Sequence, residues 1–217
     1  MAAKGLELGL YIITYALPEP GRGHLDVARA AIEGGADALQ LRDKEMGGRE
    51  MYDLCMRIKE LLEKNGAGCT FLVNDRVDVA MAAHADGVHL GQEDLPATSA
   101  RPLIAGDMVM GISATTPEEA QRAQAEGADY LGVGPVFPTP SKPDAVPPIG
   151  IGGLVEIREA VEVPIVAIGG IDEENAREVF EAGADSIAVI SAVSGAEDML
   201  EAVRGLRRAV DAGLTRR

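Results

Sequence analysis

The chain has 217 residues, and its 35 acidic against 20 basic side chains give a formal net charge of −15 at pH 7. This acidity excludes general nucleic-acid binding, which needs a basic face, and the lack of Trp with only three Phe and four Tyr disfavours base stacking. A hydrophobic fraction of 47 % excludes a disordered chain, and no apolar run approaches the ~18 residues of a membrane span.

The first apolar run covers residues 8–17. A single Lys precedes it, and Pro18-Glu19-Pro20-Gly21 stands where a signal peptide would have a small-residue cleavage site. We therefore interpret residues 9–14 as the first buried strand of a cytoplasmic protein. Cys55 and Cys69 are too few for a disulfide framework, so we expect two reduced thiols.

Four segments repeat one pattern, in which a small residue and an aspartate precede a short apolar run. The aspartates are Asp37, Asp86, Asp129 and Asp185, spaced by roughly 50 residues, about twice the length of one strand–helix unit. Between them lie further apolar runs at 69–74, 108–113 and 164–169. Together with the run at 9–14, these segments predict eight strands.

Helical patterns alternate with these runs. Residues 49–64 carry apolar side chains at three- and four-residue steps, Thr116-Pro117 has the form of a capped helix start, and residues 173–182 stop at Gly183. The alternation predicts a compact (β/α)8 TIM barrel as a single domain over residues 1–217. The alternative is an open doubly wound sheet, but no G-x-G-x-x-G turn follows the first strand.

Charged side chains follow the second predicted strand. In a TIM barrel the carboxyl ends of the strands form the active face. Gln40 and Arg42 alternate onto one side of the strand, and Lys44 follows Arg42 by two residues. We expect Arg42 at the barrel mouth to need an anionic partner, and the alternative is a structural ion pair with Asp43 or with a neighbouring strand.

Two aspartates follow the third and fourth predicted strands. Asp75 comes directly after Asn74, and Asp94 closes the segment Gly91-Gln92-Glu93-Asp94. Two carboxylates on neighbouring loops suit Mg²⁺, which takes one or two carboxylates together with phosphate oxygens. Each aspartate alone could instead serve an Asx turn or a helix cap. With Arg42 and Lys44 they predict a magnesium–diphosphate site.

The remaining strand ends also carry candidates. Ser113 ends the fifth strand, and the longest irregular segment, Gly134–Gly150, follows the sixth and contains Lys142. A loop of this length at an active face is more typical of a lid or ligand clamp than of a surface linker. Gly169-Gly170 after the seventh strand and Ser191 after the eighth predict phosphate binding through backbone N–H groups.

The three histidines are weak candidates for catalysis. His89 lies inside the fourth strand, where we expect a hydrogen-bonded core or interface residue, whereas His24 and His84 stand at helix ends and are expected to face solvent. Neither a Ser-His-Asp set nor a Cys/His metal cluster is visible in the sequence.

Six of these segments, in their order and spacing, resemble the thiamine-phosphate synthase family over about residues 9–205. They are Gln40-Leu41-Arg42-Asp43-Lys44, Asn74-Asp75, Gly91-Gln92-Glu93-Asp94, Gly134-Pro135-Val136-Phe137-Pro138-Thr139, Ala167-Ile168-Gly169-Gly170-Ile171 and Val189-Ile190-Ser191-Ala192. The resemblance implies a transferase that joins hydroxymethylpyrimidine diphosphate to a (carboxy-)methylthiazole phosphate, releasing diphosphate and forming thiamine phosphate.

The resemblance also implies roles for the matching positions. Asp75 and Asp94 would hold Mg²⁺. Contacts to the pyrimidine diphosphate would come from Gln40, Leu41, Arg42, Asp43, Lys44, Asn74, Ser113 and Lys142. The thiazole phosphate would be held by Thr139, Pro140, Ser141, Gly169, Gly170, Ile190 and Ser191. We expect the catalytic residues to be Arg42, Lys44, Ser113 and Lys142, the three cations by stabilising the departing diphosphate.

Three positions depart from the family pattern, and three other functions stay open. Thr115 stands where His is frequent, Arg76 where some members have a second Asp, and Tyr15 where the first strand often ends in Asp.

The alternative functions are a metal-independent thiazole tautomerase, a regulatory protein that binds thiazole phosphate without turnover, and a phosphosugar isomerase or epimerase. The regulatory protein would need a protein partner, because the acidic chain offers no DNA-binding patch. For the enzymes the expected partners are small molecules, and a homo-oligomer is left open.

Overall fold

Eight parallel strands form a closed barrel in the computed structural model, which describes residues 8–19, 21–104, 106–139 and 147–215. Each strand pairs with the next, and the eighth pairs with the first. The strands are β1 Leu10–Ile13, β2 Ala38–Leu41, β3 Thr70–Asn74, β4 Gly87–Leu90, β5 Val109–Ala114, β6 Tyr130–Val133, β7 Ile165–Ile168 and β8 Ser186–Val189. The predicted TIM barrel is confirmed, with every strand inside its predicted run or one residue beyond it.

Helices follow the strands around the outside of the barrel. They are α1 His24–Gly34, α2 Gly48–Asn65, α3 Val77–Ala82, α4 Ala97–Ala100, α5 Pro117–Ala125, α6 Gly150–Ala160, α7 Ala176–Glu181, α8 Ser191–Ser194 and α9 Met199–Leu214. The helix predicted over residues 173–182 is shorter than expected. The carboxylate of Asp172 accepts hydrogen bonds from the backbone nitrogens of Glu174 and Asn175, which makes a turn before α7 begins.

The start of α5 shows how local sequence sets a helix end. Thr116 caps the helix by accepting a hydrogen bond from the Glu119 backbone nitrogen at 3.2 Å, and Pro117 occupies the first turn, as predicted. Thr115 donates to the Glu119 carboxylate from both its backbone nitrogen and its hydroxyl. The residue that stands where the family often has His is therefore part of a helix cap.

The repeated aspartates fasten the amino-terminal end of the barrel. In each case one carboxylate oxygen accepts a hydrogen bond of 2.7 or 2.8 Å from a backbone nitrogen near the start of the preceding strand. The pairs are Asp37 with Leu10, Asp86 with Phe71, Asp129 with Met110 and Asp185 with Ile165. Because this end lies opposite the carboxyl ends of the strands, the repeat serves the stability of the barrel.

The strands are buried on both faces and separate two apolar layers. Side chains that alternate along each strand fill either the barrel interior or the space between sheet and helices. The interior cluster is Leu8, Tyr11, Ile13, Ala38, Leu72, Val109, Tyr130, Val166 and Ala188. Both cysteines are free and buried. Among the described helices, none is long and apolar enough to cross a membrane.

Candidate functional site

The loop after β2 brings two cations to the carboxyl end of the barrel. Lys44 is half-exposed, and its Nζ lies 3.7 Å from the Asp75 carboxylate. Arg42 is half-buried and makes no ion pair with any residue that the structure describes. The alternative of a structural Arg42–Asp43 pair is therefore excluded, because Asp43 bonds to His24 instead. Arg42 does act electrostatically on Asp75 at the end of the neighbouring strand β3, where it helps to lower the pKa of that carboxyl. Its contact with an anionic ligand stays a prediction.

His24 is buried, and its predicted exposure to solvent is wrong. The side chain is 7 % exposed, and its two ring nitrogens lie 2.8 Å from Thr14 Oγ1 and 3.0 Å from Asp43 Oδ2. Burial tends to raise the pKa of Asp43, but hydrogen bonds from His24 and from backbone N–H groups outweigh it and hold the pKa of Asp43 below its usual value. His24 therefore ties the loop that carries Arg42 and Lys44 to the end of β1. The prediction for His84, which is exposed, is confirmed.

Asp75 and Asp94 meet where β3 and β4 end. Asp75 has a left-handed backbone with φ 60°, a conformation that few residues other than glycine adopt. Burial, followed by a hydrogen bond and charge repulsion from Asp94, raises the pKa of Asp75 to about 6. Lys44 and Arg42 oppose this rise. The structure thus brings together four of the predicted diphosphate-site residues, the carboxyl pair and the two cations.

The carboxyl pair has the donor chemistry of a magnesium site. Asp94 Oδ2 accepts a hydrogen bond of 2.7 Å from the Gly91 backbone nitrogen, which fixes its position. Within the described ranges there is no group of three or more His, Cys, Asp or Glu that could hold a metal. Two carboxylates suit Mg²⁺, which keeps waters and takes further oxygens from phosphates. A cation between the two carboxylates would also relieve the repulsion that Asp75 experiences.

A hydrogen-bonded chain of five buried or half-buried side chains crosses the barrel interior. Gln40 Nε2 donates to Tyr11 Oη at 2.7 Å, and Tyr11 Oη lies 3.1 Å from Tyr130 Oη. Tyr130 Oη lies 2.9 Å from His89 Nδ1, and His89 Nε2 lies 2.9 Å from Ser113 Oγ. His89 is half-buried and hydrogen-bonded at both ring nitrogens, in agreement with the prediction of a hydrogen-bonded core or interface residue. The chain links two predicted substrate contacts, Gln40 on β2 and Ser113 on β5.

Two strand glycines make room for this chain. A Cβ atom on Gly111 would lie 2.4 Å from Tyr130 Oη, and one on Gly132 would lie 2.8 Å from the His89 ring. Larger residues at these two positions would displace the aromatic side chains. The two glycines therefore indicate, from the sequence, that large side chains lie close to β5 and β6 inside the barrel. The sequence alone does not say which side chains these are.

The loop after β6 lies across the loop after β7. The backbone nitrogens of Val136 and Phe137 donate to the carbonyls of Ile168 and Gly169, each at 2.9 Å. A Cβ atom on Gly169 would lie 2.5 Å from Pro135, and Gly169 and Gly170 both have positive φ. These glycines are thus required by the close approach of the chain's own backbone, and their contact with a phosphate stays a prediction.

The remaining predicted substrate contacts lie partly outside the described residues. Thr139 is half-buried at the end of the described part of the loop, and Pro140, Ser141 and Lys142 lie outside the described ranges. Ile190 packs against the interior cluster. Ser191 is exposed and begins α8.

Two other predicted features are assigned by their contacts. Arg76, which stands where some family members have a second Asp, forms an ion pair of 2.7 Å with Asp78. It therefore adds no third carboxylate to Asp75 and Asp94.

Burial raises the pKa of Cys55 to about 11 and that of Cys69 to about 12. Both cysteines therefore remain protonated thiols and are unsuited to act as nucleophiles.

The residues that sequence reasoning missed are Tyr11, Thr14, His24 and Tyr130. Each lies in or beside a predicted strand or at a helix start, so a local pattern explains its presence without a function. Thr14 is fully buried, and its hydroxyl accepts a hydrogen bond from the Arg42 backbone nitrogen at 3.2 Å. A polar side chain at the carboxyl end of a buried strand was the available signal for Thr14.

Comparison with known proteins gives consistent matches. A family model described as thiamine monophosphate synthase matches residues 10–193. The thiamine-phosphate synthase of Moorella thermoacetica is 52 % identical over 201 residues, covering 93 % of this chain and 95 % of that protein. The corresponding protein of Chloroflexus aurantiacus is 51 % identical over 201 residues, covering 93 % and 92 %. A solved thiamine phosphate pyrophosphorylase from Pyrococcus furiosus has a TM-score of 0.84 and 46 % identity, covering 96 % of this chain and 98 % of that one.

Proposed function

The chain belongs to the thiamine monophosphate synthase family, and from this premise we propose how it acts as a thiamine-phosphate synthase. It is a transferase that joins 4-amino-2-methyl-5-hydroxymethylpyrimidine diphosphate to (carboxy-)4-methyl-5-hydroxyethylthiazole phosphate. The products are thiamine phosphate and diphosphate, together with CO₂ when the thiazole carries the carboxyl group. The observation that supports this site assignment is the meeting of Asp75 and Asp94 beside Lys44 at the carboxyl end of the barrel.

Departure of diphosphate is the step that the barrel mouth would assist. The C–O bond between the pyrimidine methylene and the diphosphate breaks, and its electron pair leaves with the diphosphate. Positive charge develops on the methylene, and negative charge increases on the leaving group. Arg42 and Lys44 would stabilise this leaving group, joined by Lys142 from the loop after β6. Such a course needs no protein nucleophile.

Mg²⁺ is the cofactor that we assign to Asp75 and Asp94. When bound, it would supply positive charge to the oxygens of the departing diphosphate. The raised pKa of Asp75 supports this assignment, because two carboxyls so close together favour a cation over a second negative charge. Asn74, which is buried beside Asp75, would contact the pyrimidine diphosphate.

The thiazole substrate would bind on the opposite side of the mouth, at the loops after β6, β7 and β8. The residues assigned to its phosphate are Thr139, Pro140, Ser141, Gly169, Gly170, Ile190 and Ser191. Holding the phosphate there would direct the thiazole nitrogen at the methylene, so that its lone pair forms the new C–N bond with the methylene cation that the departed diphosphate leaves. The cytoplasmic location stays a prediction from the sequence.

The test is a reconstitution with both substrates. We expect diphosphate and thiamine phosphate to form in equal amounts, only when both substrates and MgCl₂ are present, and to stop when EDTA is added. Turnover that continues in EDTA would contradict the metal assignment. Conversion of the thiazole phosphate alone would indicate a tautomerase, and binding of it without any turnover would indicate a regulatory protein.

A further inference from the structure

The five-residue chain has a donor-to-acceptor direction that its own chemistry sets. The Gln40 amide nitrogen can only donate, so Tyr11 Oη accepts from it. The Tyr11 O–H then needs an acceptor of its own, and Tyr130 Oη lies within reach at 3.1 Å, so we orient this bond from Tyr11 to Tyr130. Tyr130 Oη, already an acceptor, then donates to His89 Nδ1. A neutral imidazole that accepts at Nδ1 carries its proton at Nε2.

The last bond of the chain determines what Ser113 offers to a ligand. His89 Nε2–H donates to Ser113 Oγ at 2.9 Å. The serine hydroxyl therefore keeps its own proton to donate elsewhere. At the other end of the hydrogen-bonded chain, Gln40 Oε1 makes no hydrogen bond with any residue that the structure describes. This oxygen is also not a fully enclosed polar atom. The two ends thus present one acceptor, on Gln40, and one donor, on Ser113.

Burial keeps this direction fixed. Tyr11 is 1 % exposed and Tyr130 is fully buried, and burial raises the pKa of both hydroxyls well above the usual value. Each tyrosine therefore holds one proton and can donate one hydrogen bond. Reversing one bond requires reversing all of them, because a mixed arrangement leaves a buried hydroxyl proton without an acceptor or two acceptors facing each other.

We infer that Tyr11, Tyr130 and His89 are positioning residues that hold Gln40 as an acceptor and Ser113 as a donor, and so select an aminopyrimidine. This inference rests on the proposed function of the site. An aminopyrimidine edge offers an N–H donor on its exocyclic amine and an acceptor on the adjacent ring nitrogen. The corresponding oxo-pyrimidine offers an acceptor and an N–H donor in those places, which is the opposite pattern.

The first test reads the tautomer of His89 in the intact, ligand-free protein. The ¹⁵N chemical shifts of the imidazole nitrogens at pH 8 identify which one carries the proton, and the chain has only three histidines to assign. We expect an Nε2–H tautomer with a non-protonated Nδ1. An Nδ1–H tautomer, or a mixture of the two, would overturn the inference even if the protein were an active synthase.

The second test interrupts the series of hydrogen bonds at its centre. Tyr130→Phe removes the hydroxyl that joins Tyr11 to His89, and Tyr52→Phe on α2 is the matched control. The wild-type kcat/KM ratio for amino- over oxo-pyrimidine diphosphate should be at least on the order of 10². We expect Tyr130→Phe to lower that ratio roughly 10-fold or more, with KM for thiazole phosphate unchanged.

The outcome is decided by the ratio, not by the rate. A wild-type ratio below about threefold, or a Tyr130→Phe ratio within about twofold of wild type, would overturn the inference. If Tyr130→Phe does not fold, the tautomer measurement on the wild-type protein decides alone. Absence of turnover with any pyrimidine diphosphate would instead contradict the proposed function and leave the tautomer result standing.

Discussion

His24 Nε2 lies 3.0 Å from Asp43 Oδ2, which joins the start of α1 to the loop after β2. The opposite ring nitrogen lies 2.8 Å from Thr14 Oγ1, at the end of β1. Asp43 stands between Arg42 and Lys44, the two cations assigned to the diphosphate. The position of these cations therefore depends on a histidine that does not itself face the barrel mouth.

His24→Ala should weaken binding of the pyrimidine diphosphate. Removing the ring takes one hydrogen-bond partner from the buried Thr14 hydroxyl and one from the Asp43 carboxylate, which costs about 1–3 kcal/mol of unfolding free energy. We expect KM for the pyrimidine diphosphate to rise about 10-fold and KM for the thiazole phosphate to stay within twofold of wild type. Steady-state kinetics with each substrate varied in turn measures both.

His84→Asn is the control for His24→Ala, because His84 is the exposed histidine of the pair and Asn tolerates its positive φ of 49°. It should leave both KM values and the unfolding free energy unchanged. An equal rise in both KM values for His24→Ala would contradict a role confined to the loop after β2.

Asp129→Ala should lower stability without changing the chemistry of the site. The Asp129 carboxylate accepts hydrogen bonds from the Met110 backbone nitrogen at 2.8 Å and from Arg101 at 2.6 Å, at the end of the barrel away from the mouth. Its loss leaves the Met110 nitrogen unpaired and removes one partner of Arg101, which still donates to the Gly127 carbonyl, and should cost about 1–3 kcal/mol in urea unfolding. Asp53→Ala, which breaks an exposed pair with Arg49, should cost less than about 1 kcal/mol. Equal costs for the two variants would contradict the role assigned to the repeated aspartates.

Asp94→Asn should stabilise the metal-free protein at neutral pH. Burial and then Asp94 raise the pKa of Asp75 to about 6 from 3.8, so the folded state binds its proton more tightly than the unfolded state. Stability from this group is present at low pH and is lost as the pH rises from about 4 through 6. Removing the Asp94 charge should recover about 1 kcal/mol at pH 7.5, or 2–4 °C in Tm, measured in EDTA.

The pH dependence distinguishes this effect from a change in packing. The gain of Asp94→Asn should shrink towards pH 4.5, where Asp75 is protonated in both proteins. Asp107→Asn, an exposed substitution of equal charge, should show no such dependence. A gain that is constant between pH 4.5 and 7.5 would contradict repulsion between the two carboxyls as its cause.

The strands and the strand-end residues were predictable because their signals are local. Each aspartate of the repeat precedes an apolar run, and barrel topology then places Asp75 and Asp94 on neighbouring loops without further information. Thr116-Pro117 likewise encodes its helix start within four residues. The turn at Asp172 was missed because an acidic residue before a helix suits either a first turn or an Asx turn.

The buried polar contacts were not predictable, because they depend on closure of the barrel. Tyr11 and Tyr130 are 119 positions apart in sequence and lie on strands that do not pair, so they meet only across the interior. The contact of His24 with Asp43 depends on how α1 docks on the barrel. No spacing in the sequence carries that information.

The most direct test of the site is the rate of thiamine phosphate formation by Asp94→Ala and Lys142→Ala. Each removes one charge assigned to the diphosphate, and each should lower kcat/KM by more than about 10²-fold. Asp107→Ala and Lys64→Ala are exposed controls of matching charge and should stay within twofold of wild type. If Asp94→Ala and Lys142→Ala both retain near-normal rates while both substrates are turned over, the diphosphate site is assigned to the wrong residues.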